Sequence, residues 1–352
     1  MLACISKNDR AHLLFAELRK LDSNILDLGI VRASRFAKIR GALASRTLDR
    51  AQLRTDMDFS PVVANNMQQQ TECRIAEHSA ITHVLQWGAM YAPLQPSSRL
   101  PYSIITDGPF DPDDSAYPVE WTPKRWKAEY FARQREIYTG ARFVFTLSHW
   151  ARNRLLALHP VDPAKVVRIG WGPMFSGSGP NLEPVDQLYF VSIGNQWRRK
   201  GMDIVAEAGR LVHRRHPEVQ TIIAGDPAGM RIPVMPGVKL IPRRQSQTEV
   251  AVLLRNARAL VVASRFDASP HIVMEALQFG TPVIATNAFG IGENISASTL
   301  SPDGSPSSLA ERMELLVSEP VKLHRVQAFA QYSSTGSWAR SAQILFRSLQ
   351  HE

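Results

Sequence analysis

The stretch SRFDASPHIVMEALQFGTPVIATNAFGIGE, residues 264–293, decides how the rest of the chain is read. It completes an apolar run, ALVVAS (residues 259–264), with the composition of a strand buried on both faces. A polar turn, RFDASPH, follows, and then a short helical stretch, IVMEALQF, closed by Gly280. PVIAT (residues 282–286) is a second buried strand, and NAFGIGE a glycine-bearing loop after it. Strand, loop, helix and strand within so short a span make a βαβ unit of a parallel sheet. Ligands of such sheets sit outside the carboxyl ends of the strands. Asp267 and Glu275 follow the first of those ends and Glu293 the second, so three carboxylates are expected at one crevice.

These residues resemble the donor site of the family 4 retaining glycosyltransferases. That family usually has two glutamates with the spacing that separates Asp267 from Glu275 here, followed by EAM-x-x-G-x-P-V-I-A-T. Asp267 stands at the first position and Glu275 at the second, SPHIV resembles the S-P-N-x-V form of the motif, and GTPVIAT follows. The resemblance implies an α/β chain of two Rossmann-like domains facing a cleft, the GT-B fold, with acceptor on the first domain and nucleotide sugar on the second. It implies that Glu275 binds the donor ribose and that Asp267 faces the donor sugar. His271, the helix start at Ile272, Gly290 and Glu293 complete the donor contacts. Taken singly, Glu275 reads as a helix-surface acid, Asp267 as a turn acid favourable to a helix dipole, and Gly290 as part of a turn.

The chain of 352 residues is long enough for two domains with their own cores. It has no run of about 18 apolar residues that spans a bilayer. MLACISKNDR lacks the layout of a signal peptide, and the two cysteines, Cys4 and Cys73, make neither a disulfide framework nor a four-ligand zinc site. A cytoplasmic protein, with peripheral membrane association as a further possibility, is the expectation. The net charge of +9 points to anionic partners: nucleic acid, anionic lipid or phosphorylated substrates. No RNA motif or zinc-finger spacing is present, so nucleic acid is the least supported of these.

In the first half, LACIS, NILDLGIV, HVLQWG, YSIITDG, RFVFTLS and KVVRIGWG read as strands, with helices such as AHLLFAELRKL and WARNRLLALH between them. The family usually has a glycine pair after its first strand; SKND stands there instead. Residues 35–54, RFAKIRGALASRTLDRAQLR, are strongly basic. A solvated helical face accounts for them, and so does a surface for anionic membrane or acceptor phosphate. Asp107 takes the place where many relatives have a histidine near the reacting sugar; it is also an ordinary turn aspartate before Gly108. Asp111, Asp113 and Asp114 lack the spacing of a calcium loop. VDPAKVVRIGWG (residues 161–172) resembles a further family run.

Residues 175–187, FSGSGPNLEPVDQ, read as a linker. The expected organisation is an acceptor-side domain at 1–175, a linker at 176–187, a nucleotide-sugar domain at 188–325, and terminal helices at 326–352 that cross back to the first domain. LYFVSIG, the loop NQWRRKG and the helix MDIVAEAGRLVHRR open the second half. A strand, a basic loop and a helix start together make an anion site. By resemblance Gly194 and Asn195 lie on the donor, Lys200 is the family lysine on the donor diphosphate, and Arg199 or Arg198 stands in for the family arginine, which Asn195 replaces. An exposed basic turn is the plainer reading of RRK.

The activity expected is transfer of a sugar from a nucleotide-diphosphate donor to a glycan, lipid-linked or other hydroxyl acceptor, with retention, without metal and without a cofactor. Lys200 and Arg199 would stabilise the leaving diphosphate, and Asp267 and Asp107 complete the catalytic set. A nucleotide-sugar-binding protein without transfer activity and a GT-B sugar-nucleotide epimerase are the other classes the sequence admits.

Overall fold

The structure is a computed structural model that describes all residues except 7–10, 112, 114–121, 175–187, 320 and 351–352, together with the side chains of Ala51, Val321 and Thr335. The expected linker at 176–187, most of the SKND turn and Asp114 therefore lie outside the described residues. The chain packs as two units, Met1–Ile169 with Trp338–Glu352, and Gly170–Ser337.

The first unit contains β1 (Leu2–Ser6), α1 (His12–Leu21), β2 (Ile25–Ile30), α2 (Arg35–Ser45), α3 (Arg50–Phe59), α4 (Pro61–Ala76), β3 (His83–Trp87), β4 (Tyr102–Thr106), α5 (Lys127–Gly140), β5 (Val144–Thr146), α6 (His149–Leu158) and β6 (Val166–Arg168). Its strands pair in parallel in the order β2-β1-β3-β4-β5-β6. Helices cover both faces, which is why β3, β4 and β5 are nearly continuous buried runs. Helix α4 has no clear periodic pattern in the sequence. Its buried side, Val63, Met67, Thr71 and Ile75, is a thin stripe among Asn and Gln, and the start is marked only by the Ser60 cap and Pro61.

The second unit contains β7 (Tyr189–Ile193), α7 (Trp197–Lys200), α8 (Met202–Arg215), β8 (Gln220–Ala224), β9 (Val238–Ile241), α9 (Gln247–Asn256), β10 (Ala259–Val262), α10 (His271–Gln278), β11 (Val283–Thr286), β12 (Leu300–Ser301), α11 (Pro306–Ser318) and α12 (Val321–Thr335). The order β12-β11-β10-β7-β8-β9, again parallel, is the doubly wound Rossmann order. Phe190, Val205, Val212, Ile223, Val261, Ile284, Leu309 and Met313 belong to its core. Capping is explicit at α9, where Ser246 and Glu249 form a reciprocal capping box. NQWRRKG is not wholly a loop, since residues 197–200 wind into a helical turn, and the segment read as a surface loop after Glu293 contributes β12.

The last helix, α13 (Trp338–Gln350), belongs to the first unit. It packs on α1, and its Trp338 meets Trp87 edge to face at 5.9 Å between ring centres. The preceding helix α12 stays with the second unit: Arg325, fully buried, donates from Nη2 to the carbonyls of Arg255 (2.9 Å) and Ala257 (2.8 Å). At the other boundary, residues 170–174 pack with the second unit rather than ending the first. Trp171 and Met174 donate hydrogen bonds into it, and Gly172 accepts one from it.

Candidate functional site

In the second sheet the chain leaves β7 toward β8 on one side and leaves β10 toward β11 on the other, although β7 and β10 are neighbours. Loops diverging from adjacent strands open a crevice at their carboxyl ends, the general ligand position of this fold. The loop after β7 carries Gly194, Asn195, Arg199 and Lys200, and the loop after β10 carries Asp267 and leads into His271 and Glu275.

Gly201 sets the approach of the two loops. Its φ of +65° is left-handed, and a Cβ there would lie 1.9 Å from the carbonyl oxygen of Ala263. Only glycine allows the end of α7 to lie this close to the end of β10. The Arg265 amide then donates to the Arg199 carbonyl at 2.8 Å, and the Arg265 guanidinium grips the Asp203 carboxylate at 2.8 and 2.6 Å. Lys200 is thereby brought onto the Asp267 carboxylate. Its stem runs past Gly194, where a Cβ would come 3.2 Å from Lys200 Cγ. Arg199 Nη1 stands 3.8 Å from the same Asp267 oxygen and donates to the Phe266 carbonyl at 3.0 Å. Its Nε donates to Gln196 Oε1 at 2.9 Å. Of the two candidate arginines, Arg199 reaches the carboxylate; Arg198 contributes its carbonyl to Arg265 at 2.7 Å.

Burial pushes the Asp267 carboxyl up, but Lys200 and Arg199 outweigh it and hold the group below the usual carboxylate range. Glu275 is the opposite case. It is 6% exposed, and burial raises its carboxyl to about 7 against the opposing pull of the Met174 amide and the Lys200 charge. The Met174 N–H donates to Glu275 Oε1 at 3.3 Å. Two carboxyls one helical segment apart are thus driven in opposite directions: one is fixed as an anion between cations, the other titrates near neutrality.

His271 Nδ1 lies 2.8 Å from the Gly172 carbonyl. A carbonyl only accepts, so Nδ1 carries the hydrogen and the ring orientation is fixed. Trp171 Nε1 donates to the Pro270 carbonyl at 3.4 Å. Asn195 Oδ1 accepts from the Asp226 amide at 2.8 Å, which ties the loop after β7 to the loop after β8. Ile272 is half-buried at the start of α10. Gly290 precedes the short helical turn Ile291–Asn294, in which Glu293 is half-buried, at the carboxyl end of β11. Asp107 belongs to the first unit, where it is exposed just after β4. The sequence reading missed Trp171, Gly172, Met174 and Gln196, because their bonds to the site run through backbone groups or through a helical turn too short to leave a pattern.

Residues 178–333 match the family model described as glycosyl transferases group 1. The chain is 25% identical over 243 residues to D-inositol 3-phosphate glycosyltransferase of Mycobacterium tuberculosis, covering 61% of this chain and 49% of that protein. It therefore spans about half the length of the curated relatives it matches. Among solved structures, the sucrose-phosphate synthase of Thermosynechococcus elongatus aligns with a TM-score of 0.73 at 14% identity, covering 99% of this chain and 98% of that one. A UDP-forming α,α-trehalose-phosphate synthase of Burkholderia xenovorans aligns with a TM-score of 0.69 at 10% identity, covering 99% and 98%. The fold is thus the two-Rossmann GT-B fold of those structures, and residues 178–333, which hold the crevice, carry the sequence pattern of the group 1 glycosyl transferases.

Proposed function

We propose that this chain transfers a sugar from a nucleotide-diphosphate donor to a hydroxyl acceptor, glycan or lipid-linked, with retention and without metal. The observation that carries the reading is the constellation of Lys200, Arg199, Asp267 and Glu275 at the switch point of a Rossmann sheet. In the reaction the bond from the anomeric carbon to the diphosphate oxygen breaks, and its electron pair leaves with the diphosphate. The acceptor oxygen bonds to the anomeric carbon, and its proton passes to the departing diphosphate oxygen. The carbon passes through an oxocarbenium-like state. Negative charge grows on the leaving oxygen, so cations already gathered in the crevice are the effective catalysts. Lys200 and Arg199 are those cations, and the positions of Gly194 and Asn195 bring backbone close to the donor. Asp267 faces the sugar, with His271 beside it. Glu275 accepts the ribose hydroxyls, while Gly290, Glu293 and the amide of Ile272 line the rest of the donor. Asp107 serves on the acceptor side, in the first unit.

The test is thermal stabilisation and turnover with UDP-, GDP-, ADP- and CMP-sugars, with and without EDTA, on wild type and Glu275→Gln. One donor is expected to stabilise the protein and to be slowly hydrolysed regardless of EDTA. A hydrogen bond to a charged group is worth roughly 1.5–3 kcal/mol, so Glu275→Gln should weaken donor binding about ten- to a hundredfold. Binding without turnover across an acceptor library would sink the transferase reading, and no nucleotide binding at all would sink the site.

A pH signature accompanies this assignment. Ribose hydroxyls bind the ionised Glu275, so donor affinity is expected to rise as pH increases through about 7, with proton release on binding below that pH. The stability contribution runs the other way. The folded value lies above the ordinary 4.5, so the group opposes folding, a cost absent below about 4.5 and complete above about 7. Calorimetric titration in buffers of different ionisation enthalpy reads the released proton. A flat affinity profile, or one that Glu275→Gln leaves unchanged, would remove Glu275 from the ribose.

A further inference from the structure

Helix α2 is built inside out. Its buried side is Ala37, Gly41 and Ser45. A Cβ at Gly41 would lie 2.8 Å from Ser60 Oγ and 3.3 Å from the Met57 carbonyl, so small residues let α2 lie close against α3 and α4. The opposite side carries the large apolar residues. Phe36 is 70% exposed, Ile39 58% and Leu43 74%, and beyond the helix Leu48 is fully exposed. Positions 36, 39 and 43 fall on one stripe at helical spacing. Four of the eleven exposed large hydrophobic residues among those described lie in this one segment, so the patch is not the ordinary scatter of surface apolar groups.

The rim of the patch decides what covers it. Arg32, Arg35, Lys38, Arg40 and Arg46 are all exposed, and residues 28–48 contain no Asp or Glu. The Arg40 guanidinium lies 5.9 Å from the Phe36 ring centre, a cation beside an outward-facing aromatic. A polar-rimmed apolar stripe of this kind on a short helix matches an interface where apolar tails begin just below anionic headgroups. The sequence had suggested one basic stretch over 35–54. The structure breaks it at Arg46, whose φ is +53°, so the apolar stripe of Phe36, Ile39 and Leu43 belongs to α2, with the exposed Leu48 in the turn that follows. No helix among the described residues is long and apolar enough to cross a membrane.

We infer that α2 with Leu48 is a docking surface for an anionic lipid bilayer: Phe36, Ile39, Leu43 and Leu48 enter the headgroup layer while Arg32, Arg35, Lys38, Arg40 and Arg46 pair with lipid phosphates. The inference stands on the first unit alone and does not depend on the transferase reading.

Co-sedimentation tests it, using the full chain with vesicles of phosphatidylcholine alone and of phosphatidylcholine mixed with phosphatidylglycerol, at low and high salt. The wild type is expected to sediment with the mixed vesicles, to stay in solution with neutral ones, and to lose affinity in salt. Each basic residue near such a surface contributes roughly fivefold, so reversing three of them (Arg35→Glu, Lys38→Glu and Arg40→Glu together) should cost at least about a hundredfold. The combination Phe36→Ser, Ile39→Ser and Leu43→Ser should cost about tenfold or more, with the residual binding still salt-sensitive. Both combinations change exposed side chains, and unchanged thermal melting establishes that the fold survives. Wild type that ignores mixed vesicles, or triple variants that bind as well as wild type, would overturn the inference. So would a wild-type dimer in sedimentation velocity that the serine variant renders monomeric, since that outcome assigns the face to a second copy of the chain.

Discussion

Gly201→Ala should destabilise the protein by about 3 kcal/mol or more, the left-handed backbone accounting for roughly 1 kcal/mol and forced separation of the two loops for the remainder. The larger share follows from geometry: a methyl group 1.9 Å from the Ala263 oxygen is inside any contact distance, and the obstacle is backbone rather than a pliable side chain. The end of α7 must move away from β10, and the Arg265-to-Arg199 backbone bond and the Lys200–Asp267 pair separate with it. Stability and donor binding therefore fall together. For a unit of this size the melting temperature should drop by roughly 6–12 °C. Gly229 supplies the control. Its φ of +87° imposes the same kind of strain, yet nothing lies within 4 Å of its would-be Cβ. Gly229→Ala should then cost about 1 kcal/mol and leave donor binding intact. If denaturant unfolding found the two alanine variants equally stable, the Ala263 carbonyl would be yielding freely, and the account of Gly201 as the spacer of the site would fail.

That spacer marks where the sequence stopped being readable. The βαβ unit at residues 259–286 was legible because its two strands are buried on both faces and its helix is closed by glycine, patterns that local composition records. Most other strands were legible from their apolar runs, whereas the two-residue β12 was not. The order of strands within a sheet was not, since periodicity reports an element's existence and not its neighbour. Asp107 was placed by resemblance, at the position of a family histidine; it follows β4, which lies one strand from the switch of the first sheet between β1 and β3. Lys200 and Asp267 were each assigned to the site but given separate tasks; their pairing arises from the Gly201 contact across residues far apart in sequence. The expected first domain ran to residue 175, where the linker composition begins, and so took in residues 170–174. The hydrogen bonds of that segment to Pro270, His271 and Glu275 are made mostly by backbone atoms, which every residue possesses.

Asp267→Asn should separate two properties that usually fall together, because free nucleoside diphosphate is expected to bind more tightly while sugar transfer collapses. In the structure the Asp267 carboxylate holds Lys200 directly and stands 3.8 Å from Arg199, so both cations proposed for the donor diphosphate already face an anion. A diphosphate entering the crevice must share them, and it is repelled by the same carboxylate. The amide of Asn carries no charge and cannot compete on equal terms. Relief of one charge-assisted contact is worth roughly 1.5 kcal/mol, or about tenfold in nucleoside diphosphate affinity. Turnover should move the other way by about 10²–10³, the size of effect seen when a preorganised electrostatic group is removed from a reacting centre. Lys200→Ala gives the complementary result. Diphosphate affinity and turnover both fall, and the protein itself weakens by roughly 1.5–3 kcal/mol because a largely buried carboxylate loses its nearer counter-ion and keeps only Arg199 at 3.8 Å. That penalty depends on pH with a definite sign. The folded Asp267 value is depressed in wild type, so the pair stabilises the protein above the unfolded carboxylate range and ceases to do so as pH falls through the folded value. The stability gap between wild type and Lys200→Ala should accordingly narrow in acid. Titration calorimetry with free nucleoside diphosphate on both variants decides the matter: if Asp267→Asn binds it no better than wild type, the carboxylate is not restraining the cations, and its place is with the sugar alone.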